Sequence, residues 1–255
     1  MPLTREPASP DRVLGGDHEA ESEPTGRLQP TSRMTGHQWF YVFVLDGLGG
    51  MALSGAVNFG IAYAMYTTQD TTKRPIRLFG LPNTLAGDAA VTIIVQCIIT
   101  WFVEMALVAH DLAHRSVHPV GWVPVPKSRR RWWLRWWFFL PASSSGSSSM
   151  SEEEPDAEAP VERVRANSVN AVFQQAVRGF SLAVPSFLLL WPISVGVLTA
   201  VGRKEGNDYV FADKWAPQVF KLILGGVLGL LTTPLMALFW LVRAGWEAGS
   251  PAGPS

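Results

Sequence analysis

From Asp88 to Glu104 every fourth residue is polar, Asp88, Thr92, Gln96, Thr100 and Glu104, inside an otherwise mostly apolar run. A second row at the same spacing, Asp46, Gly50, Ser54 and Asn58, lies in an earlier apolar run. On a helix such residues stack on successive turns, so two chemistries are open to them. They could line a path for a solute or a proton, or they could hydrogen-bond one apolar helix to another. Each step of four turns the row by about 40°, so it wraps about 160° from Asp88 to Glu104 and cannot face one neighbour throughout. The two carboxylates are separated by about 24 Å along the axis, which puts each about 12 Å from a midplane at Gln96, near the interfaces where charge is cheaper. Thr92, Gln96 and Thr100 are the deep members, able to bond across to other helices or, for Thr, back to their own backbone.

His110, His114 and His118 also recur at spacing four, with Asp111 beside the first. On a continued helix three imidazoles would come together as ligands for zinc or copper. Pro119 argues against a helix that reaches the third, and five histidines in total cannot furnish the several boxes of a membrane di-iron enzyme. These are weak metal candidates, and no cofactor is implied. A P-loop, G-x-S-x-G and HExxH are absent, and Cys97 sits in an apolar run with no base nearby in sequence, so nothing nominates a nucleophile or an enzyme.

The elements that must carry these rows follow from composition. The chain is 47% hydrophobic and 16% charged, and its charges collect in polar regions between four apolar stretches. That segregation is the signature of a multi-spanning membrane protein, and the zero net charge argues against a nucleic-acid partner. Spans are expected at about Trp39–Met65, Thr84–Ala109, Gly179–Val201 and Val219–Val242, giving transmembrane hairpins over 38–110 and 173–246. Trp39, Tyr41, Tyr63, Tyr66, Trp215 and Trp240 near their ends suit the headgroup level. With one cysteine no intrachain disulfide forms, and the polar start of the chain lacks a cleavable signal peptide, which leaves the first span as its own insertion signal.

Small residues show where helices can approach closely. In span one Ala52, Ala56, Gly60 and Ala64 form a row nearly opposite Asp46 and Asn58, which predicts protein on both sides and a central first span. Span four carries the GxxxG pair Gly225 and Gly229. Pro185 and Pro192 in span three and Pro234 in span four free carbonyls four residues earlier, as kinks for packing or as broken backbone lining a site.

Fourteen of the 21 Lys and Arg fall in the N-terminal tail (1–37), the loop over 111–172 with the start of span three, and the C-terminal tail (247–255 with Arg243 before it); seven fall on the other side. Positive residues stay cytosolic, so both termini and the long loop are expected in the cytosol, in the plasma membrane or an endomembrane. Within the loop, Lys127–Pro141 as a helix puts Arg131 and Arg135 on one side and Trp132, Trp133, Trp136 and Trp137 on another. Such a segment suits the lipid interface; a partner-docking surface and an unstructured basic linker are the alternatives. The Ser/Glu-rich stretch over 142–160 and the N-terminal tail read as disordered, the former open to phosphorylation.

NTLAGDAAVTIIVQCIITWFVE, LAVPSFLLLWPISVGVLTAVG and APQVFKLILGGVLGLLTTPLMALFWLVRAGW resemble a fungal family of small four-span integral membrane proteins of unknown function. The resemblance covers about residues 38 to 246, implies a fungal source and brings no catalytic residue or ligand. The expectation is an all-α integral membrane four-helix bundle acting as a non-enzymatic accessory or organising subunit. It would contact the bilayer and a membrane-protein partner or further copies of itself. The alternative is a small oligomeric transporter or channel using Asp46, Asn58, Asp88, Gln96 and Glu104.

Overall fold

The computed structural model describes residues 28–68, 73, 75–81, 84–125 and 160–249. The tail before residue 28, the Arg/Trp segment with Arg131, Trp132, Trp133, Arg135, Trp136 and Trp137, and most of the Ser/Glu-rich stretch lie outside the described residues. Helix α1 runs Gly36–Thr67, α2 Leu85–Ala113, α3 Pro160–Val201 and α4 Ala216–Gly249. Among the described residues four helices are long and apolar enough to cross a membrane.

Helices α1 and α2 begin where capping chemistry is available. Thr35 and Gln38 form a capping box, the Gln38 N–H donating to Thr35 Oγ1 at 3.1 Å and the Thr35 N–H to Gln38 Oε1 at 3.0 Å. Thr84 caps α2 by accepting from the Gly87 N–H at 3.2 Å. Within α1 the segment Phe40–Leu48 winds as a π-helix, an uncommon form that concentrates at functional sites. Helix α3 starts at Pro160, far ahead of Gly179. Hydropathy marks where a helix turns apolar, and the polar residues before that point form helix without an apolar signal.

The packing order is α1, α4, α2, α3: α4 lies against both α1 and α2, α3 packs chiefly on α2, and α1 and α2 hardly touch. The centre is therefore α4, whose apolar window is 61% buried against 28% for α1, and the expected central first span is corrected. Small residues do decide the α1–α4 approach, on one face of α1 only. A Cβ on Gly229 would stand 2.7 Å from the Gly50 carbonyl oxygen, one on Gly225 would stand 2.8 Å from Asn58 Cβ, and one on Gly55 would stand 3.1 Å from the Leu222 carbonyl oxygen. Ala52, Ala56, Gly60 and Ala64 are exposed and face away from the bundle. A small-residue stripe records what could approach, and here only one of the two stripes meets protein.

The α2–α3 contact is held at two heights. Trp101 Nε1 donates to Gln175 Oε1 at 3.0 Å, and Trp191 Nε1 donates to the Ala86 carbonyl at 2.9 Å. Between them Gly179 lets α3 close on α2, since a Cβ there would lie 3.0 Å from Trp101 Cβ.

One end of the bundle is closed by strands that the all-α expectation did not include. β1 (Ile76–Arg77), β2 (Arg203–Glu205) and β3 (Asp208–Phe211) form an antiparallel sheet in the order β1-β3-β2, with Ile76 opposite Phe211 and Lys204 opposite Tyr209. Gly206 at φ +62° makes the β2–β3 turn, a conformation that glycine adopts without steric cost. Ile76, Leu78 and Phe211 bury against Tyr66, Leu85 and Leu198. Asp208 fastens the sheet by accepting from the N–H groups of Tyr209 at 2.7 Å, Gly80 at 2.8 Å and Phe79 at 3.1 Å. Desolvation works against its charge, yet these bonds and the nearby Arg77 outweigh it and hold the carboxyl below the ordinary carboxylate range.

The opposite end is closed by the segment after α2. Gln38 Nε2 donates to the His118 carbonyl at 2.8 Å, the Val120 N–H to the Leu241 carbonyl at 3.0 Å, and Trp246 Nε1 to the Val123 carbonyl at 2.7 Å. Gly245 is where this strap crosses α4; any Cβ there would collide with the Val120 carbonyl oxygen.

Candidate functional site

Because α1 and α2 lean on α4 and not on each other, they leave a cleft of about 720 Å³ between them. The two polar rows meet in it: Asp46, Ser54 and Asn58 from α1 and Asp88, Thr92, Gln96, Thr100 and Glu104 from α2, joined by Lys221 and Thr233 of α4. Asp46, Asn58, Thr92, Gln96, Glu104 and Lys221 are buried along its floor. Its rims are the exposed apolar side chains Leu53, Val57, Val91, Val95 and Ile99, so the cleft opens sideways between greasy edges.

Three polar stations divide the floor. Toward the sheet, Lys221 Nζ donates to Asp88 Oδ1 at 2.8 Å and to Thr92 Oγ1 at 2.7 Å, and the Tyr66 hydroxyl donates to Asp88 Oδ2 at 3.3 Å. The pair is almost enclosed, with side-chain exposure of 4% for Lys221 and 11% for Asp88. Such a pair is electrically closed: its charges cancel and its hydrogen bonds are taken within the chain, which offsets the cost of removing both ions from water. In the middle, Asn58 Nδ2 donates to Gln96 Oε1 at 2.8 Å and to the Ser54 carbonyl at 2.8 Å, while Gln96 Nε2 donates to the Gly225 carbonyl at 3.0 Å. Gln96 thus joins three helices.

The third station, at the strap end, is acidic and open. Asp46 Oδ2 and Glu104 Oε2 are buried and have no hydrogen-bond partner among the described residues. Asp111, which also lines the cleft, accepts from the Tyr41 hydroxyl at 2.6 Å. Asp46, Glu104 and Asp111 lie within electrostatic reach of one another. Among the described lining residues Lys221 is the one Lys or Arg, and it is committed to Asp88 at the other end.

The histidine row does not assemble. α2 ends at Ala113, and Arg115 at φ +57° turns the chain out of the helix. His110 and His114 stack with ring centroids 4.0 Å apart, whereas His118 lies beyond the turn, its Nδ1 at 3.2 Å from the Gln29 carbonyl oxygen. Among the described residues no group of three His, Cys, Asp or Glu is placed to hold a metal ion.

Sequence spacing nominated the α1 and α2 members of the cleft but not Lys221, one of the seven Lys and Arg counted on the non-cytosolic side, nor Tyr41 and Tyr66, read as interfacial aromatics. A signal for Lys221 was present: it is the sole charged residue between Lys214 and Arg243. An ionisable residue so placed in an apolar helix requires a partner.

Comparison with known proteins gives relatives without an activity. Residues 157–241 match the family described as protein of unknown function DUF2456, a match that covers α3 and most of α4. The chain is similar to the uncharacterized protein C594.02c of Schizosaccharomyces pombe, 36% identical over 211 residues, which are 79% of this chain and 37% of that protein. It is also similar to the uncharacterized protein YHL026C of Saccharomyces cerevisiae, 26% identical over 246 residues, covering 80% of this chain and 77% of that protein. The chain therefore spans little more than a third of the first relative's length. No solved structure matches. The similarity is thus to fungal proteins whose printed names assign no function.

Proposed function

We propose that this chain is an integral membrane protein whose four long helices cross the bilayer, and that it takes a small solute or amphiphile from the lipid into the cleft between α1 and α2. It acts as a carrier and not as an enzyme. One observation carries the reading: the polar rows of two helices, together with Lys221, line a single cleft whose apolar rims face outward. Rows serving only as interhelical glue would be satisfied throughout, whereas Asp46 and Glu104, one from each row, each leave a buried carboxyl oxygen without a hydrogen-bond partner among the described residues. Sites of this build are concave and mostly apolar, with a few placed polar groups. Cys97 is buried outside the cleft lining, which leaves the cleft without a thiol.

The orientation keeps both termini in the cytosol. Setting aside Arg178 and Lys221, which are buried in α3 and α4, thirteen Lys and Arg remain on the cytosolic side and six on the other. The sheet then lies outside the cytosol and the acidic station opens near the cytosolic face.

The test is flux into liposomes carrying the purified chain, for a panel of ions, small solutes and fluorescent amphiphiles. Val95→Trp fills the cleft from its rim without touching the polar floor and is expected to cut the flux about tenfold. No flux for any member of the panel overturns the carrier reading.

The accessory-subunit reading draws on a different observation, the exposed row Ala52, Ala56, Gly60 and Ala64, which offers close approach to a helix of another chain. Mass spectrometry after mild extraction from native membranes tests it; recovery of this chain alone, as a monomer, counts against it.

A further inference from the structure

We infer that the acidic station of the cleft receives the ammonium group of a cationic amphiphile, with the alkyl chain lying between the rims of α1 and α2. This rests on the reading of the cleft as a binding site and names its ligand class. Asp46 comes from α1 and Glu104 from α2, and they are 8% and 3% exposed. Each presents a buried carboxyl oxygen that finds no donor among the described residues. Buried polar atoms are almost always hydrogen-bonded, and an unsatisfied acceptor in an apolar setting costs about 1–3 kcal/mol. Two of them, on different helices and lining one cleft, form a site that takes its donors from outside the described residues.

The surroundings select the donor. Tyr41 spends its hydroxyl on Asp111, His110 stands beside Asp111 Oδ1 at 3.4 Å, and Lys221 is held by Asp88 at the far end. Asp46 and Glu104 therefore have no Lys, Arg or His of the described residues bonded to them. A metal ion would need a compact set of ligands, and the described residues supply no group of three. An alkylammonium carries one positive charge and up to three N–H donors, the groups that the carboxyls of this station lack. The rest of the cleft fits the tail: Leu45, Leu53, Val57, Val95, Ile99 and Val103 line it on either side. A carboxylate or phosphate headgroup would meet like charge at the acidic station, and at the other end Lys221 is already neutralised.

The experiment measures saturable binding of radiolabelled dodecylamine to the full-length chain in lipid nanodiscs, with dodecanol and dodecanoate as competitors of the same chain length. Dodecylamine is expected to bind at least about tenfold more tightly than dodecanol, and dodecanoate more weakly than either. Asp46→Asn and Glu104→Gln should each remove most of the preference for amine over alcohol, and circular dichroism of the same samples reports that the variants are folded. Equal affinity for amine and alcohol in the unaltered chain overturns the inference and leaves the cleft standing as a binding site, whatever the variants do. An amine preference that survives both substitutions in folded protein overturns it too. Absence of saturable binding for all three amphiphiles overturns the inference and the amphiphile reading of the cleft together.

Discussion

Gln96 of α2 accepts from Asn58 Nδ2 of α1 across 2.8 Å and donates to the Gly225 carbonyl of α4 across 3.0 Å, tying together at one height two helices that otherwise hardly meet. Gly225 makes this possible, because a side chain there would occupy the space of Asn58. Gln96→Leu and Asn58→Leu should each lower stability, and the double variant should lose less than their sum. The expected coupling is about 0.6–1.7 kcal/mol, the range of hydrogen bonds between helices in lipid. A double-mutant cycle by unfolding in mixed micelles measures it; strict additivity would show that the bond contributes nothing.

Gly225→Ala and Gly229→Ala test the helix approach itself. A Cβ on either stands under 3.0 Å from atoms of α1, among them the Gly50 carbonyl oxygen, a backbone atom that cannot rotate away. Each should cost about 1–3 kcal/mol by forcing α1 and α4 apart. Gly60→Ala, with nothing within 4 Å, should be silent in the same assay.

At the strap end, Gly245→Ala should be more damaging than either, since its Cβ falls on the Val120 carbonyl oxygen. The collision displaces the segment that also holds Gln38 and Trp246. Faster limited proteolysis between residues 114 and 125, with α4 intact, is the expected outcome.

Asp208 sets a pH dependence at the other end. Its carboxyl is held below its ordinary value in the folded protein, so the folded state binds fewer protons than the unfolded one as pH falls through about 4. The stability it contributes is full above about pH 4 and is lost as the pH drops through the lower folded value. Thermal unfolding followed against pH should find Asp208→Asn less stable than the unaltered chain above about pH 4, with the difference closing in more acid solution. A difference that widens in acid would reverse the assignment.

Asp46→Asn and Glu104→Gln should not destabilise the chain and are expected to raise its unfolding temperature, because each replaces a buried carboxyl that has no partner among the described residues. Function and stability then pull apart at the same two positions, as they do where a site is built to wait for a ligand. A marked fall in unfolding temperature would make these carboxyls structural.

Periodicity in the sequence was enough to place Asp46, Asn58, Asp88, Gln96 and Glu104 on helices and to warn that Asp88 and Glu104 stand far apart. It could not say that the rows of α1 and α2 face each other, because spacing fixes a residue's angle on its own helix and carries nothing about which helix lies opposite. The same gap explains the misplaced centre: the stripe at Ala52 and the stripe at Gly50 look alike in sequence, and only contact with Gly225 and Gly229 tells them apart. The sheet went unread because two to four residues per strand are too few to show alternation. Lys221 escaped for a different reason, since a charge near a helix end reads as a loop charge until its burial against Asp88 is seen.

The order α1, α4, α2, α3 also bears on biogenesis. In chain order the helix that supplies the floor between α1 and α2 follows both of them. Until α4 forms, Gln96 lacks the carbonyl of Gly225 and Asp88 lacks Lys221, so the polar row of α2 is left with unmet hydrogen bonds. A chain stopped before Ala216 retains three apolar helices and loses the one on which α1 and α2 both pack.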